Sequence, residues 1–237
     1  MTAPPTEPLP RAGFRARYAA WSLDAACLLP AMVLLGASRM RHALTEAGAA
    51  LHAFTRALPR LLDAALDAQQ SPLLLARQLL TDPALAAASE RLQSAIGTLL
   101  FTPLLLYVVL ALPWSVLFEQ SSWQATPGKR ALGLVVTDAQ GRRLRGGHAL
   151  QRFLAASLSW LSLNIGHAMA ALPPHLALHD RISDTRVLRQ AASSALPAWA
   201  KAWLLAQLLA GIAAFAWLFL WLQAAMQAAM LQALGGI

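Results

Sequence analysis

Cysteine occurs once in this chain, as Cys27 inside an apolar run, so an intrachain disulfide is excluded and the thiol reads as a small packing residue. Charge is scarce as well. Only 13% of residues are Asp, Glu, Lys or Arg, against 57% hydrophobic, and mean hydropathy is +0.49. Soluble domains carry about 25% charged residues, so a water-soluble globule is excluded and a membrane protein is implied. No second group of Cys, His or carboxylate at ligand spacing accompanies His179-Asp180-Arg181, and no serine sits in a nucleophile elbow. Neither a metal, a cofactor nor an enzymatic activity is expected. Thr126-Pro127-Gly128-Lys129-Arg130 lacks the glycine five residues upstream of Gly128, and Arg130 stands where a magnesium-binding Ser or Thr would be, which excludes a nucleotide loop.

What the chain has is long apolar runs. Residues 18–38, 95–118 and 202–226 each approach or exceed the roughly 20 residues that cross a bilayer as helix. Residues 153–178 leave two readings open. One is a conventional fourth span, and the other is a re-entrant hairpin of two half-length segments around Asn164-Ile165-Gly166. The first run is too long, and too interrupted by Asp24 and Pro30, for a cleaved signal peptide.

Acids are the scarcer charge, 11 against 19 bases. The excess lies in loops rather than on a nucleic-acid-binding face, so no nucleic-acid partner is expected. Between 119 and 152 six Lys and Arg face two acids, and three Arg precede Tyr18, which by the positive-inside rule places both segments in the cytoplasm. Residues 39–93 then fall outside. They are rich in Ala and Leu, and Ser71-Pro72 and Asp82-Pro83 each read as an N-cap followed by Pro at the first helical position. Three short amphipathic helices are predicted there, the last running into the second span.

Two strand signals stand out, residues 134–137 ahead of a turn at 139–141, and residues 185–188. An isolated strand is unstable, so the two are predicted to pair on the cytoplasmic face, which requires 153–178 to leave and return by that face. The fold class is therefore all-α membrane protein, with three or four transmembrane helices, a candidate re-entrant hairpin and a small β pairing.

Asp24 is the sole formal charge within the three apolar runs. A carboxylate at mid-bilayer costs roughly 2.5–3.5 kcal/mol on insertion scales, so it is kept for a partner. Arg17, seven residues earlier, shares its helix face at about 10 Å. We predict that Arg17, Asp24 and Asp180 form one site at the entrance of the first helix. Lys129 and Arg130 read as anchors to anionic lipid headgroups. Trp114 and Trp123 read as interface residues. Asn164 and His167 are candidate lining for a path.

Gly13-Phe14, Arg17, Ala19-Ala20 and Leu23-Asp24, then 126–130 with 132–136 and 138–141, then Arg152, and finally 178–181 with 185–187, together resemble the RDD family of small bacterial membrane proteins. The resemblance maps the family's arginine and two aspartates onto Arg17, Asp24 and Asp180. Ala125 stands where the family usually has Gln, and Asp184 where it usually has Gly. The implied organisation is a cytoplasmic segment 1–17, a membrane domain 18–189 carrying the extracytoplasmic insertion 39–93, and a linker with a C-terminal span over 190–237. The implied location is the bacterial inner membrane, multi-pass, with the N-terminus cytoplasmic. Two functions follow as expectations. The first is transport of a small ion or solute through Asp24 with Arg17 and Asp180, in a homo-oligomer because three or four spans are few for a complete path. The alternative is a non-transporting scaffold or accessory subunit that recruits a membrane partner.

Overall fold

The structure, a computed structural model, describes residues 9–162, 164–190 and 195–234. It is an all-α membrane protein with one small sheet. Among the described residues three helices are long and apolar enough to cross a membrane. In order the elements are α1 (Phe14–Asp67), α2 (Pro72–Thr81), α3 (Pro83–Gln120), α4 (Pro127–Ala131), β1 (Leu134–Asp138), α5 (Gly146–Leu161), α6 (Ile165–Ala168), α7 (Leu178–Ile182), β2 (Thr185–Arg189) and α8 (Ala198–Leu234). A single 3-10 turn, Met169–Ala171, follows α6.

Two compact units divide the chain, the first from residues up to Ala31 with Tyr107–Leu208, the second from Met32–Leu106 with the residues from Leu209 onward. In the first unit, β1 and β2 pair antiparallel with Val136 opposite Val187. The predicted pairing is thus realised, one residue longer on each strand. The N-terminal segment extends along β2, where Ala12 N–H donates to Val187 O at 2.9 Å and Arg189 N–H to Pro10 O at 2.9 Å. Leu134, Val136, Leu144 and Val187 close a core against Ala16, Ala19 and Ala20 of α1. Alanine at these three positions lets the neighbouring backbone approach α1 closely. A Cβ on Gly128 would collide with Ala20 O, so the start of α4 rests directly on the α1 backbone. The α8 helix docks on α1 through Ser22, whose hydroxyl accepts from Trp203 Nε1 at 3.0 Å and Gln207 Nε2 at 3.1 Å.

The described chain between the two strands is broken into α5, α6, the 3-10 turn and α7, none long enough to span. Asn164 reverses the direction with φ of 65°, a left-handed conformation that Asn tolerates better than most residues. Of the two readings for 153–178, the conventional span is therefore corrected to a broken hairpin that begins and ends at the sheet.

In the second unit the expectation of three separate short helices over 39–93 is also corrected. α1 runs on unbroken through Gly36, Gly48 and Pro59, because the 39–58 stretch is Ala- and Leu-rich and two isolated glycines cost a helix only about 1 kcal/mol each. The two N-caps are as expected. Ser71 Oγ accepts from Leu74 N–H at 3.4 Å and Asp82 Oδ1 from Leu85 N–H at 2.9 Å. After the second cap α3 continues without a break into the apolar run. Gly36 gives α3 room within this unit, since a Cβ there would lie 3.0 Å from Leu106.

Candidate functional site

The two named aspartates occupy different surroundings. Asp24, 7% exposed on α1, faces the 126–128 turn rather than Arg17. Thr126 Oγ1 donates to its Oδ2 at 2.5 Å, while Gly128 N–H at 2.8 Å and Trp114 Nε1 at 3.1 Å both donate to Oδ1. All three donors are neutral. They solvate the anion in place of water, and burial without them would be costly. Pro127 at the first position of α4 turns the chain so that the Gly128 N–H, one of the N–H groups a helix start leaves without an internal acceptor, points at the carboxylate.

Asp180, 1% exposed, sits on α7 between two arginines. Arg17 Nη1 reaches Oδ2 at 2.5 Å, and Arg152 Nη1 contacts Oδ1. The Ala177 N–H completes the shell, donating to Oδ2 at 2.9 Å. Arg17 spends its remaining nitrogens on backbone carbonyls, Nε on Ala12 at 2.8 Å and Nη2 on His175 at 2.9 Å. Arg152 continues the chain of charge. Its Nη1 donates to Thr185 Oγ1 at 2.5 Å, its Nε lies 3.4 Å from Glu119 Oε2, and Glu119 Oε1 takes Lys129 Nζ at 2.5 Å. The result alternates in sign from Lys129 through Glu119, Arg152 and Asp180 to Arg17, tying α4, α3, α5, α7 and α1 together. Although burial works against it, Arg152 and Arg17 hold the Asp180 carboxyl well below the usual carboxylate range. His179, with Nε2 3.5 Å from Asp180 Oδ1, is driven the other way from a typical His–carboxylate contact. Burial, reinforced by Arg152, pushes its pKa well below the ordinary histidine value despite Asp180, so the ring is neutral.

Of the residues expected to meet, Arg17 and Asp180 do, and Asp24 has its own partners. The seven-residue spacing explains the separation: at about 1.5 Å per residue the two α1 side chains lie too far apart along the axis to share an ion pair, so each meets a different layer. Lys129 is engaged by Glu119, while Arg130 lies over the Trp123 ring at 4.0 Å and remains exposed. Trp114, expected as an interface anchor, spends its N–H on Asp24. Asn164 is an exposed turn residue, and the His167 ring lies 5.0 Å from that of His179. Glu119, Arg152, Thr126, Gly128 and Trp114 were not marked as site residues by sequence reasoning. Glu119 did carry a signal, as the acid that terminates an apolar run, but a hydroxyl and a backbone N–H carry none.

The sequence pattern of the RDD family matches residues 11–184, which takes in both aspartates, both arginines and the hairpin between the strands. The chain belongs to the RDD family. Over 92 residues it is 38% identical to YxaI of Bacillus subtilis (strain 168), itself described as an uncharacterized protein, covering 38% of this chain and 61% of that relative. The match therefore spans less than two thirds of the relative's length. No solved structure matches. One departure of this RDD chain from the family now has a geometric meaning. Asp184, where the family has Gly, adopts a φ of 46° at the α7–β2 turn, a left-handed conformation that glycine reaches freely and Asp tolerates.

Proposed function

We propose that this RDD protein is a non-transporting, non-enzymatic membrane scaffold or accessory subunit, in which the named charges lock an interfacial unit onto the membrane helices. The observation that carries this reading is the saturation of Asp24: both carboxylate oxygens are already engaged by Thr126, Gly128 and Trp114. A cation carrier needs a carboxylate that opens to its cargo, whereas three donors aimed at a fixed anion are the arrangement of a structural anchor. The Asp180 shell, closed by two arginines and a backbone N–H, supports the same conclusion.

The scaffold sits in the bacterial inner membrane as a multi-pass protein with the N-terminus and the 119–152 segment in the cytoplasm, in keeping with the basic excess of those segments. Its partner side is α8, whose most apolar stretch is left unburied by this chain and is available to lipid, a second copy or a membrane partner's helix. Proteoliposomes carrying wild type should show no sodium, potassium or proton flux above empty vesicles under an imposed gradient, and Asp24→Asn should change thermal stability instead. A cation- or pH-dependent flux that disappears in a folded, inserted Asp24→Asn protein would overturn the scaffold reading in favour of transport.

A further inference from the structure

A second feature of the first unit lies apart from both aspartates. A cavity of about 800 Å³ opens between the start of α1, the end of β2 and the start of α8, lined by Phe14, Arg15, Ala16, Arg189, Lys201 and Leu204 among others. Its volume falls within the roughly 300–1,000 Å³ of small-molecule sites. Three cations from three elements line it, and among the described residues no carboxylate does. Among the described residues no ion pair engages Arg15 or Lys201, and both are exposed, whereas Arg189 is buried with Nη1 on Ala195 O at 2.9 Å. The first intrahelical bond of α1 is made by Arg17 N–H to Gly13 O, so the preceding N–H groups of Phe14, Arg15 and Ala16 have no acceptor within the helix. Positive charge and N–H groups without a helical acceptor thus gather at one place, and the other described lining residues are apolar.

We propose that this cavity binds the phosphate-bearing headgroup of an anionic phospholipid, with Arg15 and Lys201 contacting the phosphate and Phe14 and Leu204 lying against the start of an acyl chain. A soluble anion would satisfy the cations but would gain nothing from the apolar walls. A lipid uses both. The surroundings suit a headgroup level: Tyr18 and Trp199, both exposed, lie within one helical turn of the cavity residues on α1 and α8, the position of an interfacial aromatic belt.

The test uses the full chain in nanodiscs of phosphatidylcholine and phosphatidylglycerol in equal amounts, with native mass spectrometry counting the phosphatidylglycerol retained on release. Wild type should hold this lipid in preference to phosphatidylcholine. The double variant Arg15→Gln, Lys201→Gln should lose the preference, on the order of tenfold for two headgroup-level cations. Arg181→Gln, an exposed basic residue outside the cavity, should keep it. The charge-retaining pair Arg15→Lys, Lys201→Arg guards against a folding defect and should also keep it. Undiminished retention in the double variant would overturn the proposal, as would equal loss in the charge-retaining pair. Inorganic phosphate is the second probe. Stabilisation of wild type in detergent by phosphate as strong as that by phosphatidylglycerol would assign the cavity to a soluble anion and overturn the lipid assignment.

Discussion

Asp24 and Asp180 are the same residue type buried to a similar degree, yet one is held by neutral donors and the other by cations. Around Asp24 the partners are a hydroxyl, an indole N–H and a backbone N–H, so removing the anion leaves only dipoles to rearrange. Around Asp180 they are two guanidinium groups with side chains 11% and 6% exposed, so removing the anion strands Arg17 and leaves Arg152 only Glu119 as counterion. The difference separates hydrogen-bond loss from uncompensated charge, and it sets the order of expected effects.

The largest belongs to Asp180→Asn. Breaking a buried ion pair by neutralising one member costs about 3–5 kcal/mol, because the other charge stays buried without its counterion. Thermal and denaturant unfolding in detergent would measure it, and adding Arg17→Met should recover part of the loss. Asp24→Asn should recover nothing from the same Arg17 change. The two should add, since Arg17 and Asp24 share no partner. A coupling of Asp24 to Arg17 as strong as that of Asp180 to Arg17 would break the distinction between the two sites.

Gly128→Ala should come next. Its new Cβ would meet Ala20 O and stand 2.9 Å from the Asp24 carboxyl carbon, neither of which can swing aside. Overpacking of this kind costs about 1–3 kcal/mol. Gly147→Ala, in the first turn of α5 with nothing within 4 Å of the added methyl, is the matched control and should be neutral or stabilising. Asp24→Asn is expected at the lower end of the same range, about 1–2 kcal/mol. The amide keeps one acceptor oxygen but turns an NH₂ toward a donor that then loses its bond. Equal destabilisation by Asp24→Asn and Asp180→Asn would show that the cations around Asp180 matter no more than the dipoles around Asp24.

These partners were unequally legible in the sequence. The β1–β2 pairing could be read because a run of β-branched residues marks β1, Thr185 and Val187 alternate along β2, and a lone strand has no stability. Both helix starts in the 71–83 region could be read because a capping side chain followed by proline is a local signal. The continuation of α1 past Ser38 was not read, since Gly36 and Pro59 look like punctuation although the Ala- and Leu-rich stretch between them carries the helix through. The ion-pair chain lay beyond reach for a different reason. Arg152 and Asp180 are 28 residues apart, and Arg17 and Asp180 are 163 apart, so no periodicity links them. What could be argued was that buried charges need partners. Which partner depends on where the hairpin folds back, and that is a property of packing.

At neutral pH the smallest effect is a pH dependence, which grows only on acidification and should fall on the Asp180 side alone. His179 on α7 is packed among Arg152, Asp180, His167 and Arg17, and its folded pKa lies well below the ordinary value because of burial and then Arg152. The unfolded chain protonates this ring near pH 6.5 and the folded chain does not. Stability from this group is therefore fully present above about pH 6.5 and declines as pH falls, with a limiting slope of about 1.4 kcal/mol per pH unit. Asp180 does not blur this window. Its folded pKa is depressed, so its contribution is present above about pH 3.9 and is lost only as pH falls through the folded value, at stronger acidity. Unfolding midpoints measured from pH 7 to pH 5 should decline in wild type, decline less steeply in His179→Gln, and flatten further when His167→Gln is added, because burial and then Arg152 lower the His167 pKa as well. None of the three donors to Asp24 titrates in that range, so Thr126→Val should lower stability at every pH without changing the slope. A wild-type slope that survives both His179→Gln and the added His167→Gln intact would place the acid sensitivity outside the Asp180 site.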